Sequence, residues 1–138
     1  MNIKKNFLLV CENALLDNNN KLSLIGIFSA INTSKVPAMH PNLFVVANLS
    51  IEEIKKVTNI KLSVEIFSPS GKQIIQKPPV IERPLEVKDS TQNVGCIFEI
   101  RNILFPEFGL YDVNLVINDK KFETFTLEVR EQQTQNVN

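Results

Sequence analysis

The side chains with the greatest capacity for chemistry are few: one histidine, His40, and two cysteines, Cys11 and Cys96. His40 stands between two prolines in the segment Val36-Pro37-Ala38-Met39-His40-Pro41. An imidazole held in a loop can act as a general base, and a Ser or Cys beside it would complete a minimal dyad. No Gly-x-Ser-x-Gly pattern presents such a serine on a strand-to-helix turn. A zinc cage wants four Cys or His ligands, or three and a water, which one histidine and two distant cysteines do not supply. Asp17-Asn18-Asn19-Asn20 offers oxygens to a cation, yet Phe28 falls where a calcium loop places its bidentate Glu. The run reads as a hairpin turn. Glu52 and Glu53 are adjacent, so on an extended chain they face opposite ways and cannot work as an opposed pair. Four glycines leave little material for a phosphate-cradling loop. The sequence therefore nominates no catalytic residue, no metal ligand and no cofactor. A small enzyme using the His40 loop is the alternative reading rather than the leading one.

The elements that would position these residues are short apolar runs between turn signals, which is the pattern of an all-β domain. Strands are expected at 6–12, 21–31, 43–49, 59–67, 72–76, 93–103, 110–117 and 121–129. Alternation is clean where Ile60, Leu62, Val64 and Ile66 face one way and Lys61, Ser63 and Glu65 the other. Gly26 marks a bulge or a close backbone approach. The prolines at 37 and 41 predict a loop over 36–41. Ser50 with Glu53 three residues on permits a helical turn over 51–57. Pro78, Pro79 and Pro84 confine their stretch to an edge or a crossing between sheets. Asn118-Asp119 predicts a tight hairpin turn. Phe122 and Phe125 are three apart, so a bulge is expected near Glu123.

The end of the chain is the most specific part. Phe105-Pro106-Glu107-Phe108-Gly109-Leu110-Tyr111 followed by two apolar runs reads as a corner, a strand, a turn and a strand. In an immunoglobulin-like sandwich a tyrosine at this place bonds back to the corner backbone. Gly109 and Tyr111 are the structural corner on that reading. The fold expected is an all-β, immunoglobulin-like two-sheet antiparallel sandwich of seven to nine strands with at most one short helix. One domain over 1–131 and a flexible polar tail over 132–138 complete it.

The N-terminal strands break the rule that one sheet face is apolar and the other wet. Leu8 and Val10 oppose Phe7, Leu9 and Cys11; Ile25 and Ile27 oppose Leu24 and Phe28; Phe44 and Val46 oppose Leu43, Val45 and Ala47. Six apolar residues exposed together would make a poor soluble surface. Something must cover the outer face: the 30–42 or 50–58 segment of the same chain, or another subunit. Leu8, Val10, Ile25, Ile27, Phe44 and Val46 are the candidate interface.

Lysine plus arginine equals aspartate plus glutamate at 15 each, with no basic stripe, so a nucleic-acid partner is not expected. A formal charge of zero also leaves self-association unopposed. No apolar run approaches the roughly 18 residues that span a bilayer. The Lys4-Lys5 pair and the run 7–11 mimic an export signal, but the run is too short and Val10 too bulky. Reduced thiols follow for a chain that is not exported; whether Cys11 and Cys96 pair stays open.

The strings Phe7-Leu8-Leu9-Val10-Cys11-Glu12-Asn13-Ala14, Lys21-Leu22-Ser23-Leu24-Ile25-Gly26-Ile27-Phe28 and Pro37-Ala38-Met39-His40-Pro41 carry a resemblance over nearly the whole chain. The sequence resembles a bacterial family of small single-domain proteins known only as a domain of unknown function. That resemblance implies a cytoplasmic, bacterial or phage-encoded β-sandwich and supplies no activity, cofactor or site residue. The leading expectation is a non-enzymatic binding or assembly module. It would act through loops or the N-terminal sheet on a protein partner or a second copy as a homodimer. A structural protein of a phage or secretion system is a further alternative.

Overall fold

The computed structural model describes residues 1–19 and 21–133. Of the expected polar tail, residues 134–138 lie outside the described residues. Nine strands and no helix are formed among them: β1 Asn2–Leu16, β2 Leu22–Phe28, β3 Ala30–Thr33, β4 Ala38–Glu52, β5 Thr58–Phe67, β6 Val80–Leu85, β7 Gln92–Phe105, β8 Gly109–Ile117 and β9 Lys120–Glu131. They form a four-stranded sheet in the order β2-β1-β4-β7 and a five-stranded sheet in the order β3-β9-β8-β5-β6. Every pairing is antiparallel except that of β3 with β9. The chain crosses between sheets at Ser29, leaving β1 at Phe28 and joining β9 at Ala30. This is the expected immunoglobulin-like two-sheet sandwich.

The core lies between the sheets. Ile60, Leu62, Val64 and Ile66 of β5 are fully buried, as are Tyr111, Val113 and Leu115 of β8, because a period of two sends alternate side chains to one face. Each such residue contributes about 1.5–3 kcal/mol by leaving water. The corner is formed as expected: the Tyr111 hydroxyl donates to the Glu107 carbonyl at 2.7 Å and accepts from the Glu107 amide at 3.0 Å. Asn118 and Asp119 both take left-handed φ, 50° and 67°, as a two-residue hairpin turn of mirror-image type requires. The bulge is present too, since Leu115 opposes Glu123 while Val116 opposes Lys121, leaving Phe122 over.

Three local expectations are corrected. His40 and Pro41 lie in β4, not in a loop: Ala38, Met39 and His40 already pair with β7. β4 has no partner on its other flank there, because β1 stops pairing with it at Cys11 opposite Phe44. A proline is tolerated beside such an open flank. Residues 51–57 form no helical turn. Ile51 ends the pairing of β4 with β7 and Glu52 its pairing with β1, Glu53 takes φ 58°, and Ile54 bridges to Lys88. Ile51 and Ile54 are both buried in the core, and that burial outweighs a marginal capping signal. Residues 72–76 form no named strand. One bridge joins Phe67 and Gln73, and the Gln73 side chain takes the Ile66 amide at 2.9 Å.

Candidate functional site

Strand β1 is the key to the N-terminal half. It pairs with β4 from Asn2 to Cys11, but with β2 as far as Leu16 opposite Leu22. Beyond Cys11 the β1–β2 hairpin therefore leaves the sheet. Its tip folds back over the outer face, where Leu22 and Leu24 pack against Cys11, Ala14, Phe44 and Val46. Val46 and Cys11 are wholly buried there, and Phe44 is 8% exposed. The cover of the outer face is thus internal. It is supplied by this hairpin rather than by the 30–42 or 50–58 segment.

Gly26 permits the fold-back in two ways. Its φ of +68° is a conformation that β-carbon-bearing residues rarely adopt. A β-carbon there would also stand 3.0 Å from the Glu12 side chain.

The six candidate interface residues separate into three groups. Leu8 and Val10 are corrected: both belong to the inter-sheet core, because β1 turns that face toward the other sheet. Phe44 and Val46 do lie on the outer face, beneath the hairpin. Ile25 and Ile27 are 54% and 61% exposed. Leu15, also 54% exposed, opposes Ser23 while Ile25 opposes Asn13. Leu15 and Ile25 therefore share the hairpin face turned away from the covered cluster.

Strand β2 is also an edge. Its seven residues hold no charge and no proline, the composition that leaves an edge open to further pairing. The other edges are guarded. β3 has four residues, β6 carries Glu82, Arg83 and Pro84, and β7 is flanked by the 74–79 segment, which shares a depression with residues 99–104.

A depression of about 550 Å³ opens where the hairpin tip meets β7. Leu16 and Leu22 form one wall, Gly95 and Ile97 lie on β7, and Arg83 reaches in from β6 of the other sheet. Asn48 and Asn93 also line it. These residues were missed by sequence reasoning. The available signal was an asparagine within each of two apolar strands, where asparagine is disfavoured. β1 has a bulge at Asn6, between Lys5 opposite Leu49 and Phe7 opposite Asn48. The Asn6 amide donates to Asn48 Oδ1 and to Ser50 Oγ, both at 2.7 Å.

The residues that could do chemistry are not brought together. The His40 ring packs against Phe28 at 5.8 Å between centroids. Cys11 and Cys96 are both free and buried; one belongs to the outer cluster and the other to the inter-sheet core, so opposite faces of one sheet keep them apart. Burial pushes the Cys96 thiol up to about 11 and the Cys11 thiol in the same direction. Asp17 Oδ1 accepts the amides of Asn19 and Lys21, each at 2.8 Å, as a turn residue does. Among the described residues no three His, Cys, Asp or Glu gather as a metal cluster. No helix of the described residues is long and apolar enough to cross a membrane.

The profile of a family described as one of unknown function, DUF6941, matches residues 6–130. No curated protein matches. Among solved structures, the chain is similar to Pseudomonas fluorescens alkylpurine DNA glycosylase AlkC bound to DNA containing an abasic site analog, at TM-score 0.52 and 13% identity. That likeness covers 93% of this chain and 30% of the glycosylase, so the chain spans under a third of that protein's length. At such identity the likeness speaks of fold alone. A weaker one, TM-score 0.37 at 10% identity, is to an immunoglobulin-like protein from Pseudomonas aeruginosa, covering 94% of this chain and 98% of that one.

Proposed function

We propose a role for this chain from the premise that it belongs to the family of unknown function DUF6941: it is a non-enzymatic assembly module that binds a second copy of itself through the β1–β2 hairpin. The observation that carries this reading is the open, uncharged β2 edge beside the exposed side chains of Leu15, Ile25 and Ile27. Two such edges set antiparallel about a two-fold axis bring no like charges together, and a formal net charge of zero adds no long-range repulsion. An isologous contact of this kind closes on itself, giving a dimer rather than a fibre. The reading places the protein in a bacterial cytoplasm, where its two free thiols suit a reducing compartment. The glycosylase named above binds DNA; for this chain the balanced charge favours a protein partner instead. An enzyme built on His40 has less support, because its ring packs on Phe28 rather than beside a nucleophile.

Sedimentation velocity tests the proposal. The wild-type chain is expected to sediment as a concentration-dependent dimer. Ile25→Lys with Ile27→Lys, both at exposed positions, is expected to sediment as a folded monomer. A wild-type chain that stays monomeric up to roughly millimolar concentration, where contacts worth about 4 kcal/mol would register, would contradict it.

A further inference from the structure

We propose that the depression beneath the hairpin tip binds a small organic carboxylate that carries an apolar tail. The polar side of the site presents donors. Asn6 donates to Asn48 Oδ1 and Ser50 Oγ, and Ser50 Oγ donates onward to Asn93 Oδ1 at 3.1 Å. Both asparagine oxygens are thus engaged on the far side, which leaves the Asn48 and Asn93 NH2 groups as the free ends. Asn48 Nδ2 faces Gly95, lying 3.7 Å from where a β-carbon on that residue would stand. The guanidinium of Arg83 is the third donor. None of the ion pairs among the described residues involves it, so its planar fork is free to take a carboxylate in two parallel bonds. No competing anion arises nearby, because the Cys96 thiol, turned into the inter-sheet core, donates to the Ala47 carbonyl at 3.8 Å and stays protonated at neutral pH.

The apolar side of the site is contributed by the hairpin tip and β7. Leu16 is 59% exposed and Leu22 and Ile97 are partly so, which gives a hydrocarbon tail surface to cover. At about 550 Å³ the space falls within the range of small-molecule sites. Gly95 keeps the floor open, since nothing but Asn48 approaches the position of its absent β-carbon. The bulge at Asn6 is the device that aims the donor chain, as bulges re-aim side chains beside functional sites. The site shares Leu16 and Leu22 with the hairpin but uses neither Ile25 nor Ile27, so octanoate binding and self-association are read through different substitutions.

The test is a calorimetric and amide-NMR titration of the full chain with octanoate, with octylamine as the cationic control. Octanoate is expected to bind saturably with Kd below about 1 mM and to shift the amides of Leu16, Leu22, Gly95 and Ile97. Arg83→Gln, at an exposed edge position, is expected to weaken binding by about tenfold or more. Gly95→Leu is expected to abolish binding by filling the space, and because Gly95 needs no left-handed φ the variant should keep the wild-type strand spectrum. Weakened octanoate binding in Arg83→Gln and none in Gly95→Leu, with octylamine inert, supports the proposal. No octanoate binding to the wild type at about 10 mM, undiminished affinity in Arg83→Gln, or equal binding of octylamine would overturn it.

Discussion

Tyr111 is fully buried, and its hydroxyl holds both the amide and the carbonyl of Glu107. Removing that hydroxyl strands two backbone groups at the corner, and each lost bond costs about 1 kcal/mol. Tyr111→Phe is therefore expected to lower unfolding free energy by about 1–2 kcal/mol in a urea titration, with the fold retained. Nearby, Gly109 takes φ +131°, and a β-carbon on it would meet Pro69 Cγ at 2.8 Å. Gly109→Ala should cost at least as much, through both backbone strain and that contact. The Cys96 thiol gives a pH signature. Burial raises it from 9.0 to about 11, so the folded state holds a proton that the unfolded chain has already shed. Its contribution to stability is complete below pH 9 and is lost as pH rises toward about 11, with a limiting slope of about 1.4 kcal/mol per pH unit. Burial moves Tyr111 upward from 10.0 in the same direction and adds to the loss from about pH 10. Cys96→Ala should remove one proton's worth of slope from stability measured across that window.

At the scale of the element, the β1–β2 hairpin makes a second core on what would otherwise be a wet face. Phe44 lies within it at 8% exposure. Phe44→Ala is expected to destabilise by about 3 kcal/mol, far more than a solvent-facing sheet residue would. A change below about 0.5 kcal/mol, the range of ordinary surface substitutions, would mean that the hairpin does not cover the face. This element also divides what the sequence makes legible from what it does not. The alternation in β5 and β8, the Asn118-Asp119 turn and the slip at Phe122 are local patterns, and each can be read from a few neighbours. The two-faced apolar character of 7–11 and 43–47 is visible in the same way. Its cause is not, because it depends on β1 leaving β4 at Cys11, an event with no short-range code; Gly26, read from the sequence as a bulge or close approach, marks the place but not the direction of the fold-back. Period two alone does not say which face is inside, and Leu8 and Val10 prove to face the other sheet. The Asn48, Asn93 and Arg83 grouping joins β4, β7 and β6 and is invisible until the sheets are assembled. The prolines near His40 predict a loop, yet the open flank of β4 accommodates Pro41 within the strand.

For the whole molecule, two curled sheets enclose one main core, and a hairpin shields a smaller one. That hairpin exposes four large apolar side chains, Leu15, Leu16, Ile25 and Ile27, more than any other single element, while Met39, Val57, Val80, Val87, Leu104 and Leu110 are exposed elsewhere. A chain with balanced charge and one open, uncharged edge has a physical route to a closed dimer, and the assembly reading rests on that route. Hydrogen exchange of the β2 amides as a function of protein concentration tests it most directly. Exchange across Leu22–Phe28 should slow as concentration rises, while exchange in β3 and β6 stays constant. Exchange in β2 that is independent of concentration, at concentrations where sedimentation finds dimers, would place the contact elsewhere and contradict the account.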